Sequence, residues 1–204
     1  MTAMLEKTAA ALRRRGFEAA VFSSAADAAD FVLSDMPSGQ TVAIGGSMTV
    51  KEMGLHEKLR AAGHPVLWHW EVSPAERPAL LHEAMNAPLY LCSANAVTQD
   101  GLIVQIDGNG NRVAAMCYGP GTVYVLIGRN KIVEGGYAQA VRRIKSVACP
   151  QNARRQGLDT PCAAEGVCKA GECRHSMCHM TVSFDLAPNG KRTVVLLIDE
   201  QLGY

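Results

Sequence analysis

No run of apolar residues in this chain approaches the roughly twenty needed to cross a bilayer as a helix, so no helical membrane span is expected. Charge of one sign is also missing. The formal net charge is +1, which gives no electrostatic reason for nucleic acid to bind. The first residues, Met1-Thr2-Ala3-Met4-Leu5-Glu6-Lys7, lack the apolar core and cleavage site of a secretory signal, so a cytoplasmic protein without disulfides is expected. Internal repeats and low-complexity linkers are absent. The 204 residues, 48% of them hydrophobic, are therefore expected to build one domain, 1–204, around a real core. The basic runs Arg13-Arg14-Arg15 and Arg142-Arg143 fall toward the ends of expected helices, where cations oppose the carbonyl end of the dipole.

What the chain does have is cysteine in one place. Of seven cysteines, five (Cys149, Cys162, Cys168, Cys173 and Cys178) fall within thirty residues. Thiols this dense are metal ligands, redox partners or disulfides, and the expected compartment disfavours the last. The spacing Cys162-x5-Cys168-x4-Cys173-x4-Cys178 is interleaved with Gly166, Gly171, His175 and His179, the glycines allowing tight turns around a shared centre. The two-residue CxxC clamp is missing. These four cysteines, with Cys149 as alternate ligand, are expected to bind a metal or iron–sulfur centre, and redox-active thiols are the competing reading. Cys92 and Cys117 sit in apolar strand-like runs and are read as inert buried thiols.

Helical and strand periods alternate along the chain. Leu5, Ala9 and Leu12 repeat at helical spacing before Gly16, and Ala19-Ala20-Val21-Phe22 reads as a strand. A helix capped by Ser23 or Ser24 ends before Pro37, the strand Thr41 to Ile44 follows, and a helix carries Leu55 and Leu59. Strands at Pro65 to Trp68 and Leu89 to Cys92 flank a helix over Pro78 to Met85. Such alternation predicts an α/β fold with a mostly parallel sheet covered on both faces. After Ser93, Leu102 to Asp107 and Arg112 to Met116 flank Gly108-Asn109-Gly110-Asn111 and predict an antiparallel hairpin. Thr122 to Gly128 is a further strand and Tyr137 to Val147 a helix. Beyond the cysteine segment, 149–179, a terminal hairpin is expected from Met180 to Leu186 and Thr193 to Ile198 around Pro188-Asn189-Gly190.

Between the second strand and its helix lies Gly45-Gly46-Ser47-Met48-Thr49, which matches neither Walker A nor GxGxxG. Glycines admit a ligand to the backbone, and the N–H groups of a helix start with the hydroxyls of Ser47 and Thr49 can hold an anion. Gly45, Gly46, Ser47 and Thr49 are therefore candidate ligand-binding residues for a small anionic ligand, with a simple tight turn as the alternative. His56, His64, His69 and His82 have no metal-ligand spacing. Trp68 and Trp70 alternate with His69 as core residues of a strand do.

Ile44-Gly45-Gly46-Ser47-Met48-Thr49, then Ala94-Asn95-Ala96-Val97-Thr98-Gln99-Asp100-Gly101, Gly108-Asn109-Gly110-Asn111-Arg112-Val113-Ala114, Gly119-Pro120 and Gly128-Arg129-Asn130-Lys131-Ile132-Val133 together resemble the LUD domain of lactate utilization proteins. The likeness spans about residues 1 to 204, and Cys149-Pro150-Gln151-Asn152-Ala153-Arg154-Arg155 into Pro161-Cys162 is similar to a cysteine-bearing branch. The resemblance implies a mixed sheet with helices on both faces, akin to the ribose-5-phosphate isomerase and CoA-transferase-like group, whose glycine loop binds a phosphate or CoA-like ligand. It implies a part in cytoplasmic oxidation of L-lactate to pyruvate, alongside iron–sulfur or other redox subunits. Asn95, Thr98, Asp100 and Asp107 would then face the glycine loop as candidate catalytic groups, an Asp serving as general base; ordinary turn chemistry at Asp100-Gly101 and Asp107-Gly108 is the alternative. Four thiolates favour a [4Fe–4S] cluster or zinc over harder ions. The residues leave two alternatives open: a non-catalytic ligand-binding or interaction subunit with a structural metal, and a sugar-phosphate isomerase or CoA-transferase-like enzyme. For the transferase no glutamate nucleophile motif is present.

Overall fold

The computed structural model describes residues 2–173 and 175–204. Helix α1 (Thr2–Arg14) buries Leu5, Ala9 and Leu12 on one stripe, and the chain turns at Gly16, whose φ of 85° suits glycine. Strand β1 (Glu18–Phe22) leads to α2 (Ala25–Asp35), where the Ser24 hydroxyl accepts from Asp27 N. There follow β2 (Val42–Ile44), the short helices α3 (Met48–Glu52) and α4 (Leu55–Ala61), β3 (Val66–Trp68), α5 (Arg77–Ala84) and β4 (Leu89–Cys92).

The chain then builds a second sheet before returning to the first. Strands β5 (Ala96–Thr98) and β6 (Ile103–Asp107) precede α6 (Asn111–Cys117), and β7 (Thr122–Gly128) rejoins the first sheet. Strand β8 (Ile132–Val133) and α7 (Tyr137–Arg143) run into a wide helical turn at Ile144–Ala148 and on through α8 (Cys149–Arg155) and α9 (Pro161–Glu165). Strands β9 (Met180–Phe184) and β10 (Arg192–Ile198) end the order. One sheet has six strands, all parallel, in the order β1-β10-β7-β4-β2-β3; the other has four, β8-β5-β6-β9, with β6 antiparallel to both neighbours. The alternation of helix and strand thus gives the expected α/β fold with helices on both faces, and the antiparallel section stands apart as its own sheet.

Strand β7 shows how the core is divided. Val123, Val125 and Ile127 pack with Leu5 and Leu12 of α1 on one face, while Tyr124 and Leu126 pack with Val32, Val50 and Leu59 on the other. Both faces of the strand are buried, which is why its sequence is a continuous apolar run and not an alternation. A third cluster joins Val104 and Ile106 to Ala140, Ile144, Ala148 and Cys149, so the second sheet packs on the helical segment that carries Cys149.

Four expectations are corrected. Arg112 to Met116 is not the second arm of a hairpin but part of α6: Asp107 accepts from the backbone N–H of Gly110 and Val113, and Gly110, at φ 83°, starts a helix that buries Val113, Ala115 and Met116. The run Val113-Ala114-Ala115-Met116 never had the period of two that a half-buried strand requires. The terminal hairpin from Met180 to Leu186 and Thr193 to Ile198 is also absent. Strand β9 is a mostly exposed edge paired to β6, whereas the wholly apolar β10 takes a central parallel place between β1 and β7. The helix at Tyr137 to Val147 does not end there, so Cys149 is helical. Cys117, expected to be buried, is exposed at the end of α6.

Candidate functional site

A cavity of about 360 Å³ opens beyond the carboxyl end of β4, between the glycine loop and the cysteine-bearing segment. Crevices at the carboxyl ends of parallel strands are the usual ligand sites of open α/β sheets. Its walls carry two guanidinium groups, Arg112 and Arg155, and the amine of Lys131 among the described residues, against one carboxylate, Asp107. The excess of positive charge in a confined space favours an anionic occupant.

The glycine loop contributes unequally. Gly45 is held by packing: its N–H donates to Leu91 O at 2.9 Å, its carbonyl accepts from Trp68 Nε1 at 3.3 Å, and a Cβ there would stand 2.8 Å from the Tyr90 hydroxyl. Ser47 caps α3 by accepting from Val50 N at 3.2 Å. Thr49 is fully buried and points to the C-terminal residues, donating to Leu202 O at 3.1 Å. Gly46 is the member of this set that lines the cavity. Because α3 has five residues, its dipole is small, and charged side chains must do most of the work on an anion.

Asn95 and Asp107 line the cavity, while Thr98 and Asp100 do not. The Asn95 side chain accepts from Ile106 N at 2.9 Å and Arg112 Nη2 at 3.0 Å, and its carbonyl accepts from Arg143 Nη1 at 2.6 Å, so it ties α6 and α7 to the second sheet. Asp107 lies 3.5 Å from Arg112 and accepts two backbone N–H groups. Thr98 and Asp100 form the turn between β5 and β6, where the Thr98 hydroxyl donates to Asp100 and Leu102 N donates to Thr98. That hydroxyl, with Arg15 nearby, holds the Asp100 carboxyl below the usual range.

Two side chains that the sequence did not single out occupy the centre. Lys131 is only 3% exposed, and its Nζ sits 2.7 Å from Thr49 Oγ1 and 2.9 Å from Ser93 Oγ. Burial, aided by the like charges of Arg143 and Arg112, pulls it down to about 7. A lysine within the polar run Gly128-Arg129-Asn130-Lys131 reads as a surface residue, and the short turn Arg129–Lys131 turns it inward. Ser93 carried a usable signal, since it directly follows a buried strand.

On the opposite wall, Cys149 Sγ and Cys178 Sγ are 3.4 Å apart. Either sulfur can donate to the other, and the shared contact, with help from Lys145, favours one thiolate in the pair while that contact and burial hold its partner protonated. Two thiolates on one tetrahedral zinc would stand roughly 3.8 Å apart, given a Zn–S bond of about 2.3 Å. The pair therefore fits two corners of a thiolate metal site. Cys162 is buried, with its sulfur 3.4 Å from Thr160 Oγ1, and Cys168 and Cys173 are half-buried within electrostatic reach of the others. Among the described residues no three metal-ligating side chains converge on one point. His175 and His179 line the cavity beside Cys178.

The fold and site define an α/β protein with a cation-lined cavity at the carboxyl edge of its parallel sheet, walled on one side by cysteines. A family model of the LUD domain matches residues 5–198. The chain belongs to the LUD domain family, which is associated with lactate utilization. Its structure is similar to that of a DUF162 family protein from Deinococcus radiodurans, with 13% identity, a TM-score of 0.55 and 97% of each chain covered, a likeness that carries the fold. It also matches eIF2B beta from Chaetomium thermophilum at 17% identity and a TM-score of 0.41, covering 58% of this chain and 45% of that one. No curated protein matches it. No helix among the described residues is long and apolar enough to cross a membrane.

Proposed function

We propose that this chain is a lactate utilization protein of a cytoplasmic system that oxidises L-lactate to pyruvate, and that its cavity binds a small carboxylate anion beside a cysteine-ligated centre. The observation that supports this reading is the shared cavity: Arg112, Arg155 and the Cys149–Cys178 pair all line it. Arg155 is positioned by Tyr204 and Asn152 and lies 4.6 Å over the Trp70 ring, so its planar group is oriented before a ligand arrives. Asp107, occupied by Arg112 and two backbone N–H groups, orients that arginine and is not a free base.

Cys149 and Cys178, completed from Cys162, Cys168 and Cys173, would hold a [4Fe–4S] cluster or zinc. A bound cluster supplies one-electron carriage, which would link the two-electron oxidation of lactate to redox subunits, whereas zinc would brace the segment. Protein purified without oxygen, analysed for iron and zinc and titrated calorimetrically with L-lactate and pyruvate, tests the reading. Metal near one site per chain and carboxylate binding weakened about tenfold by Arg155→Ala are expected, one charge-assisted contact being worth roughly 1.5 kcal/mol. Metal-free protein that binds neither acid would refute it.

A further inference from the structure

Ser93, Lys131 and Thr49 form a buried triangle of hydrogen bonds, and the shortest contact open to each proton gives it an order. The Thr49 hydroxyl donates to Leu202 O at 3.1 Å, so its oxygen is left to accept from Lys131 Nζ at 2.7 Å. Neutral Lys131 then has one lone pair to place, and Ser93 Oγ, 2.9 Å away, is the hydroxyl in reach of it. The other acceptors for the Ser93 proton are more distant, Thr49 Oγ1 at 3.3 Å and Ala94 O at 3.4 Å, the limit of a hydrogen bond. The resulting order has serine donating to lysine and lysine donating to threonine, so nucleophile, base and orienting group stand in sequence. Ser93 and Lys131 both line the cavity, and Ser93 sits at the carboxyl end of β4.

The surroundings keep the lysine available as a base. Arg143 from α7 and Arg112 from α6 oppose its protonation, while Glu52 from α3 and Cys92 from β4 favour it more weakly than burial disfavours it. Its hydrogen-bond partners among the described residues are two hydroxyls and no carboxylate, an arrangement that suits an uncharged amine and leaves a buried ammonium without a counter-ion.

We propose that Ser93 is an acyl-accepting nucleophile with Lys131 as its general base and Thr49 as the residue that positions the lysine, acting on an ester or thioester of a small carboxylic acid whose anionic group lies toward Arg112 and Arg155. Ser93 Oγ bonds to the acyl carbon, its proton passes to Lys131 Nζ, and the bond to the alkoxide or thiolate leaving group breaks as Lys131 returns that proton to it. Water, deprotonated by the same lysine, then releases the acid and restores the serine, so the balance is ester plus water to acid plus alcohol or thiol. No oxidant or metal takes part, so the activity stands or falls separately from the cysteine centre.

Diisopropyl fluorophosphate tests this on the full chain, because the same serine would displace fluoride and form a stable phosphoserine ester. The expected result is one adduct per chain, mapped to Ser93, forming faster as pH rises through neutrality and levelling off once the lysine is uncharged. Lys131→Met should slow labelling at least about 100-fold, the ordinary scale of a general base. Thr49→Val should slow it as well, and Thr49→Ser, which keeps the hydroxyl, should restore it. Folded wild-type protein that acquires no adduct on Ser93 would overturn the proposal, as would a rate that stays flat from about pH 6 to about pH 9. The pH profile decides even where Lys131→Met does not fold.

Discussion

Gly203 passes so close to Thr49 that a β-carbon on it would lie 2.7 Å from Thr49 Oγ1, 3.0 Å from Thr49 N and 3.1 Å from Lys131 Nζ. Its φ of 59° is left-handed, so a side chain there meets both backbone strain and a steric clash. Glu52 adds to the restraint by accepting from Gly203 N at 2.6 Å. Gly203→Ala is expected to cost about 1–3 kcal/mol and to displace Thr49 from the lysine. Urea unfolding checks the first part and the fluorophosphate labelling rate the second. Unchanged stability together with an unchanged rate would mean that this C-terminal contact does not brace the site.

Lys131 should also write itself into the pH dependence of stability. Its folded value is lowered from the ordinary 10.5 to about 7, so between those limits the unfolded chain holds a proton that the folded chain lacks. Stability then rises with pH across that window and is lost as pH falls toward 7, the reverse of a lysine that gains an acidic partner. Lys131→Met removes the titration. The difference in urea midpoint between wild type and variant should therefore change by more than the error of the measurement from about pH 7 to about pH 9.5, with the wild type gaining on the variant. A constant difference over that range would show that the lysine is charged in the folded state.

The fold was largely readable because its strands and helices carry distinct periods. The buried run Thr122-Val123-Tyr124-Val125-Leu126-Ile127 could only be a strand covered on both faces, and the Leu5, Ala9, Leu12 stripe could only be a helix. Where neighbouring elements looked alike, local signals misled. Asn109-Gly110 is a good hairpin turn, yet the same left-handed glycine starts α6 because the next apolar run has no alternation. Pro188-Asn189-Gly190 likewise joins two strands that belong to different sheets. Pairing across such distances is a tertiary decision that no short window contains. In the site, Gly46, Asn95, Asp107, Cys149 and Cys178 were named from the sequence and line the cavity. Lys131 and Ser93 were not, because the importance of a lysine at 131 depends on burial by residues 49 and 93, far away in the chain.

Arg192 at the start of β10 links β1 to α2, at the end of the sheet opposite the cavity. It donates to Glu18 at 2.6 and 2.8 Å and to Asp35 at 2.5 and 3.1 Å, while Tyr124 donates to Asp35 at 2.7 Å. The Arg192 contact, with that from the Tyr124 hydroxyl, holds the Asp35 carboxyl below its ordinary value of 3.8. The sign is that of a depressed acid: its contribution is complete above the ordinary carboxylate value and disappears as pH falls through the lower, folded one. The group is partly open to solvent, so the contribution is modest. Asp35→Asn should lower stability by roughly 1 kcal/mol at neutral pH, and the gap should close as pH falls below the ordinary carboxylate value and through the lowered, folded one. Thermal melts of the two proteins at pH 7 and in acid provide the comparison; a gap that persists in acid would assign the effect to packing and not to charge.

The cysteines make the sharpest chemical prediction, because the seven thiols are not equivalent in space. Cys149 Sγ and Cys178 Sγ are 3.4 Å apart, yet they are separated by 29 positions in the chain, so the α8 helix and the segment before β9 must both be in place for them to meet. Cys92, by contrast, is sealed in the core, with burial pushing its thiol up to about 12, and Cys117 is exposed at the far end of α6. A metal needs deprotonated thiolates, and the contact between Cys149 and Cys178 already favours one thiolate in the pair. Cys149→Ser and Cys178→Ser should each lower bound iron or zinc to less than about a tenth of the wild-type content, the range expected when one of four thiolates is lost. Single serine variants at Cys162, Cys168 and Cys173 should show which two complete the set. Cys92→Ser should leave the metal content unchanged. Loss of metal in the Cys92 variant with retention in the Cys149 and Cys178 variants would place the centre elsewhere and leave that close pair as redox thiols.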